Sequence, residues 1–337
     1  MKKTIALVTG GFSGESVISY KSAATIAQHL DRSKFHIYTI DIHPKGWFYE
    51  MADGRKSEVD KNDFTLQLDS QLVKFDAVFI GMHGTPGEDG KLQGYFDVLG
   101  IPYTGCDATT SAITFNKRYT VAVAAMAGIA VSPSVHLFKQ HPVPASSILE
   151  QLRLPLFVKP NNGGSSIGMS KVDEASDLEE AIAKAFREDQ QVLVEQMVQG
   201  REFTVGVFRN KGEIVVLPLT EVKAHNEKAF FDFEAKYEGK STETTPAEVD
   251  ESVAGRIREA ARKIYEVFNC KGVVRIDFIY EEKSGKPYML EINTIPGQSE
   301  ASIIPQQVRA MGWSLQDFYT IILEECLSAE EKPWSLT

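Results

Sequence analysis

The sequence predicts an α/β protein with additional α+β elements, and two patterns carry that prediction. Short apolar runs, TIALVT at 4–9, FHIYTIDI at 35–42 and DAVFIG at 76–81, alternate with a helical pattern at 16–30. Such alternation implies a parallel sheet with helices on its faces. Further on, the amphipathic stretch DLEEAIAKAFRED at 177–189 and a long helical stretch at 250–267 each stand between strand-like runs. A chain of 337 residues is too long for one hydrophobic core, so two or three domains are expected.

Taken in order, the opening MKKTIALVTGG places two lysines before an apolar run, as a secretory leader does. Gly10 and Gly11 end that run too early, so it reads as a first buried strand. A helix is predicted over 109–127, with Thr109, Thr110 and Ser111 near its start and Gly128 at its end. A second unit has strands near 154–159, 167–172 and 191–195, and its helix at 177–189 turns its charges to solvent. A third has strands at 202–208 and 213–219, a polar stretch at 224–246, the helix at 250–267, and strands at 273–280 and 287–292. The polar stretch exceeds a routine connection, which favours a functional loop.

A formal charge of -10 argues against a nucleic-acid surface or a polybasic membrane patch. The longest Ala-rich apolar run, VAVAAMAGIAV at 121–131, falls short of the roughly 18 residues of a spanning helix, so a soluble, cytoplasmic protein is expected. Cys106, Cys270 and Cys326 lie far apart with no CxxC pair, which suggests neither a disulfide framework nor a thiolate zinc site. The seven histidines show no HExxH, leaving oxygen ligands as the expected metal chemistry.

Common nucleotide fingerprints come close and miss. TGGFSG at 9–14 has Thr9 where GxGxxG needs Gly, and TPGEDGK at 85–91 has Thr85 where a Walker loop needs its first Gly. FVKPNNGGSSIGMSKV at 157–172 breaks an apolar strand with a flexible loop. Gly163 and Gly164 relax the backbone there while Ser165 and Ser166 add hydroxyl donors, so the loop suits phosphate oxygens as well as it suits a hairpin turn. VVRIDFIY at 273–280 and YMLEINTIPG at 288–297 read as adjacent strands. Asp277, Glu291 and Asn293 are polar residues inside them, costly unless they meet a cation; a strand-end salt bridge such as Arg275 with Glu291 is the other reading. Hard oxygen ligands of this kind suit magnesium on nucleotide phosphates, and Arg275 beside them suits developing negative charge. Gly297 offers an N–H for an oxyanion, or marks a simple Pro-Gly turn. Lys117, Lys159 and Lys236 suit phosphate or merely solvated surface, and Glu195 and Glu202 flank a hinge that suits adenine and ribose or a capped turn.

In this order the motifs resemble the ATP-grasp superfamily and, within it, the D-alanine–D-alanine ligases of bacterial cell-wall (peptidoglycan) synthesis. The resemblance runs from GGFSGES at 10–16 through HGTPGEDGKLQGYFDVLGIPYTG at 83–105, KPNNGGSSIGMSKV at 159–172, FFDFEAKY at 230–237 and RIDFIY at 275–280 to EINTIPGQSEASIIP at 291–305. It implies a three-domain ATP-grasp fold: a Rossmann-like parallel-sheet domain at 1–107, a central subdomain with the Gly-Ser loop at 108–200, and a subdomain with the metal site and closing loop at 201–337. Lys117 and Lys159 would contact ATP, Glu195 and Val198 its adenine and Glu202 its ribose. Asp277, Glu291 and Asn293 would hold two Mg2+ ions, with Mn2+ an alternative.

The resemblance also implies that one D-alanine carboxylate is phosphorylated and that the amine of a second displaces the phosphate, with Arg275 and Gly297 facing the oxyanion. Glu15 would hold the first ammonium, with His83 near that substrate. Ser165 and Tyr237 would join Glu15 in a network closing the loop, Lys236 would reach the transferred phosphate, and Ser302 would bind the second carboxylate. A homodimer is implied as well. Similar ligases that make a D-alanine–D-lactate ester carry His in that loop, and AKY at 235–237 places Lys236 and Tyr237 there, which favours dipeptide over depsipeptide. Asn116, Phe233, Gln298 and Glu300 depart from the usual family residues, the last two beside the second-substrate pocket. Rivals are another carboxylate-amine ligase, such as one taking D-serine, and a non-catalytic nucleotide-binding regulator.

Overall fold

The computed structural model describes residues 2–163, 167–224 and 241–328, which form three sheets with helices between them. The first sheet holds β1 (Lys3–Gly10), β2 (Phe35–His43), β3 (Gly46–Glu50), β4 (Lys56–Asp60), β5 (Thr65–Leu68), β6 (Gln71–Val73) and β7 (Ala77–Ile80), in the order β6-β5-β4-β3-β2-β1-β7. β1 runs parallel to β2 and β7, and the helix Ser16–His29 supplies the crossover the alternation predicts. The expectation of a parallel sheet fails beyond β2, where β3 to β6 form an antiparallel meander. A parallel partner needs a long crossover, and the chain turns back between His43 and Gly46.

The helix expected over 109–127 is two helices, Ala108–Phe115 and Lys117–Met126. Asn116 between them is extended at φ -97° and ψ 103°, and its side chain accepts from Tyr119 N at 3.2 Å. An Asn in that role starts a helix rather than continuing one. Asp107 caps the first helix by accepting from Thr110 N at 2.9 Å, ahead of the threonines expected there. Both helices lead to residues that pack on the third sheet: Ala124 and Ile129 are buried with Phe203, Val205 and Ile257.

The second sheet is wholly antiparallel, in the order β10-β9-β11-β8, from β8 (Ser134–Phe138), β9 (Leu156–Pro160), β10 (Ser170–Val172) and β11 (Gln191–Gln196). The helix Leu178–Glu188 covers one face, and its core of Leu137, Val158, Leu178, Ala185 and Val194 closes upon itself.

The third sheet runs β15-β14-β12-β16-β17, with β13 also on β12. Its strands are β12 (Arg201–Asn210), β13 (Glu213–Val216), β14 (Thr220–Ala224), β15 (Ser241–Thr244), β16 (Val274–Glu281) and β17 (Lys286–Asn293). Alternation along β12 serves two faces. Phe203, Val205 and Val207 meet the helix Glu251–Val267, while Phe208 meets Phe318 of the helix Leu315–Ser328. That last helix is shared, because Phe318, Tyr319 and Ile322 are buried together with Ile5, Leu7, Ile26 and Phe79 of the first sheet and its helix. The first and third units therefore have a common core, and among the described residues the second contributes none of it.

Candidate active site

The carboxylates predicted inside strands sit on neighbouring strands in direct register. β16 and β17 are antiparallel, with Asp277 opposite Glu291 and Arg275 opposite Asn293. The register shifts after Asp277, and this irregularity at Leu290 lets both Leu290 and Glu291 line the cleft. Asp277 is buried and accepts from Arg275 through two bonds, Nε to Oδ1 at 2.9 Å and Nη2 to Oδ2 at 2.8 Å, and from the hydroxyl of Thr204. Arg275 Nη2 lies 3.8 Å from Glu291 Oε1, and Asn293 Nδ2 lies 3.2 Å from Asp277 Oδ2 and 3.4 Å from Glu291 Oε1. The salt bridge weighed from the sequence thus forms, mainly to Asp277. Burial pulls the Arg275 guanidinium down more than any single neighbour lifts it, but the charge and hydrogen bonds of Asp277 together with the charges of Glu291 and Glu88 hold Arg275 above its ordinary value.

Among the described residues no three His, Cys, Asp or Glu side chains gather as a preformed metal site. Two carboxylates and an amide on one sheet face nonetheless fit a hard divalent cation that keeps phosphate and water oxygens as its other ligands.

This face is one wall of a cleft of about 990 Å3. Opposite stands the second sheet, where Lys159 pairs with Glu195 across neighbouring strands and Phe157, Met197 and Val198 add apolar surface. Lys117, at the head of its helix, donates from Nζ to Gly163 O at 2.8 Å, which ties it to the stem of the Gly-Ser loop. Glu202 lines the cleft from β12 of the third sheet, opposite Val222 of β14.

The floor comes from the first unit. Glu15 ends the loop after β1 and starts the helix Ser16–His29. Gly84, at φ +66°, passes so close that a Cβ there would meet Glu15 Oε2 at 2.5 Å. His83 is buried, and burial above all, with the charge of Arg275 adding, pushes its imidazole down to about 4. Glu88 is pushed up to about 8 by burial and then by the charge of Glu15, although Gly84 N donates to it at 2.7 Å. Across from these, Ser302 starts the helix Ile303–Ala310 with its Oγ 2.7 Å from Ser299 Oγ. A Cβ on Gly297 would meet Ser302 Oγ at 2.9 Å, so the two are neighbours.

The cleft therefore gathers Glu15, His83, Lys117, Lys159, Glu195, Val198 and Glu202 with Arg275, Asp277, Glu291, Asn293, Gly297 and Ser302. Ser165, Lys236 and Tyr237, with Phe233, lie outside the described residues. Sequence reasoning assigned no role to Glu88, whose place between Gly87 and Gly90 in the HGTPGEDG motif was its only signal. It also missed Glu221, buried in the cleft wall and bonded by Arg201 Nε at 2.7 Å, with Lys223 Nζ at 3.1 Å. The charged alternation TEVK at 220–223 was the available signal.

Two sheets facing each other across a cleft, one lined by lysines and the other by carboxylates, define an ATP-grasp fold. Family profiles described as D-ala D-ala ligase N-terminus and D-ala D-ala ligase C-terminus match residues 4–106 and 123–324. A D-alanine--D-alanine ligase of Parabacteroides distasonis is 44% identical over 96% of this chain and 98% of its own length. Among solved structures, the VanG D-Ala:D-Ser ligase of Enterococcus faecalis is similar at a TM-score of 0.87 and 32% identity, covering 96% of this chain and 99% of that one. The D-alanyl-alanine synthetase A of Vibrio cholerae is similar at 0.86 and 31%, covering 97% and 99%. The chain belongs to the D-alanine–D-alanine ligase family.

Proposed function

We propose that this ligase joins two D-alanines into D-alanyl-D-alanine at the expense of ATP, as a cytoplasmic homodimer supplying peptidoglycan precursors. One observation carries the reading: Asp277 and Glu291 share one cleft with Glu15, Gly297 and Ser302. That arrangement suits a phosphoryl acceptor and an amine nucleophile on either side of one reacting carbon.

Lys117 and Lys159 bind the triphosphate, Glu195 and Val198 the adenine, and Glu202 the ribose. Asp277, Glu291 and Asn293 would hold two Mg2+ ions, or Mn2+, which would neutralise the triphosphate when bound. Glu15 pairs with the ammonium of the first D-alanine and so sets its handedness and orientation. The carboxylate oxygen of that D-alanine attacks the γ-phosphorus, the bond from γ-phosphorus to the bridging oxygen breaks with its electrons going to ADP, and an acyl phosphate forms. Ser302, at a helix N-terminus, binds the second carboxylate. The second amine, its ammonium proton given to water, attacks the carbonyl carbon, the added nitrogen sheds a further proton to water, and Arg275 with the Gly297 N–H stabilises the oxyanion. The C–O bond to phosphate then breaks with its electron pair. Ser165, Tyr237 and Lys236 belong to the same reading through the family resemblance.

A second reading, D-serine as the second substrate, is supported by the likeness to VanG. ADP release and product mass, measured with magnesium ATP, decide between them. D-Alanine alone is expected to give dipeptide and L-alanine none. Preferred incorporation of D-serine or D-lactate in competition with D-alanine, or no D-alanine-dependent ADP, contradicts the proposal.

A further inference from the structure

Helix Ser16–His29, which begins at Glu15, turns two fully buried serines toward the floor of the cleft. Ser19 Oγ accepts the backbone N–H of His83 at 2.9 Å. Ser22 Oγ lies 2.9 Å from His83 Nε2 and 3.1 Å from the backbone N of Gln298. An N–H can only donate, so Ser22 accepts from Gln298, and of these two neighbours only the His83 ring nitrogen can take the buried Ser22 proton. The acceptor facing that proton is His83 Nε2. A neutral imidazole carries one N–H, so if Nε2 accepts, the proton sits on Nδ1. Burial keeps the ring neutral, and the Ile295 carbonyl acts on it as an acceptor. The bonds thus run one way, from Gln298 N–H to Ser22 and from Ser22 to His83. They join the middle of the Ser16–His29 helix, the loop after β7 and the Ile295–Gln298 turn.

We infer that Ser22 and His83 are positioning residues, a clamp that fixes the turn carrying Gly297 relative to Glu15. The inference rests on the proposed roles of those two residues. Glu15 locates the ammonium of the first D-alanine and Gly297 faces its carbonyl oxygen, so the clamp sets the distance between the two ends of one substrate. His83 then gives the substrate neither a proton nor a charge, because its Nε2 is spent on Ser22. An error of about 1 Å in such a distance can cost roughly 100-fold in rate.

Nitrogen-15 NMR of the seven histidines, with His83 assigned by its loss in His83→Gln, tests the bond directions in the ligand-free protein. The Nδ1–H tautomer is expected, and Ser22→Ala is expected to lose that single tautomer. An Nε2–H tautomer in the parent overturns the inference whether or not the variants fold. In ADP-release assays Ser22→Ala should lower kcat by about 10-fold to 100-fold with the KM for ATP unchanged, and Ser22→Thr, which keeps the hydroxyl, should recover most of it. Parent kcat in Ser22→Ala, or equal loss in both variants, overturns it. A parent that makes no dipeptide defeats the functional reading instead and leaves the tautomer result standing.

Discussion

At the scale of single residues, the cleft holds charges whose states follow from their neighbours. Glu88 keeps its proton up to about pH 8, whereas an unfolded glutamate releases it near 4.5. Between those values the folded state binds more protons than the unfolded one, so stability falls as pH rises through the window. Urea midpoints measured near each end should show that fall, and Glu88→Gln should flatten it; equal slopes in parent and variant would remove the burial argument. Asp277, Glu291 and Asn293 were legible in the sequence because a polar side chain inside an apolar strand needs a reason. Ser22 was not, since a serine in a helix looks like any other until His83 and Gln298 arrive from 61 and 276 residues away. Thr204 was hidden in the same way, its partner Asp277 being supplied only by the pairing of β12 with β16.

At the scale of elements, strong apolar periodicity revealed β1, β2, β7, β12, β16 and β17, and short polar strands escaped it. β14 and β15 lie at the edges of the stretch read as a functional loop, and their charged residues pair only because β12 offers an edge. Gln307, on the helix that starts at Ser302, shows how that region is fastened. It is fully buried, accepts from Gly206 N at 2.9 Å, and donates to Thr204 O and to Thr220 Oγ1, each at 3.0 Å. Thr204 ends the pairing of β12 with β14 and Gly206 precedes its pairing with β13, and the glutamine bonds the backbone at that junction. Gln307→Leu strands buried polar groups at a cost of about 1–3 kcal/mol each. Chemical denaturation should register a loss of that order, and a variant as stable as the parent would show that water replaces the side chain.

At the scale of the molecule, motif order pointed to residues that the cleft gathers, but it said nothing of how the three sheets pack. Residues 5–79 and 208–323 share a core, with Phe79 and Tyr319 meeting edge to face at 5.9 Å, while the second sheet buries its own apolar residues. Such contacts join residues far apart in the chain, and periodicity speaks only of neighbours. The arrangement leaves carboxylates from the third unit opposite lysines from the second, and in the proposed function divalent cation and triphosphate would complete the match. The direct measurement is the initial rate of D-alanine-dependent ADP release against magnesium concentration, in the parent and in Glu291→Ala. The parent should saturate with magnesium and the variant should fall by roughly 100-fold or more. A variant running at the parent rate, or a parent indifferent to divalent cation, would contradict it.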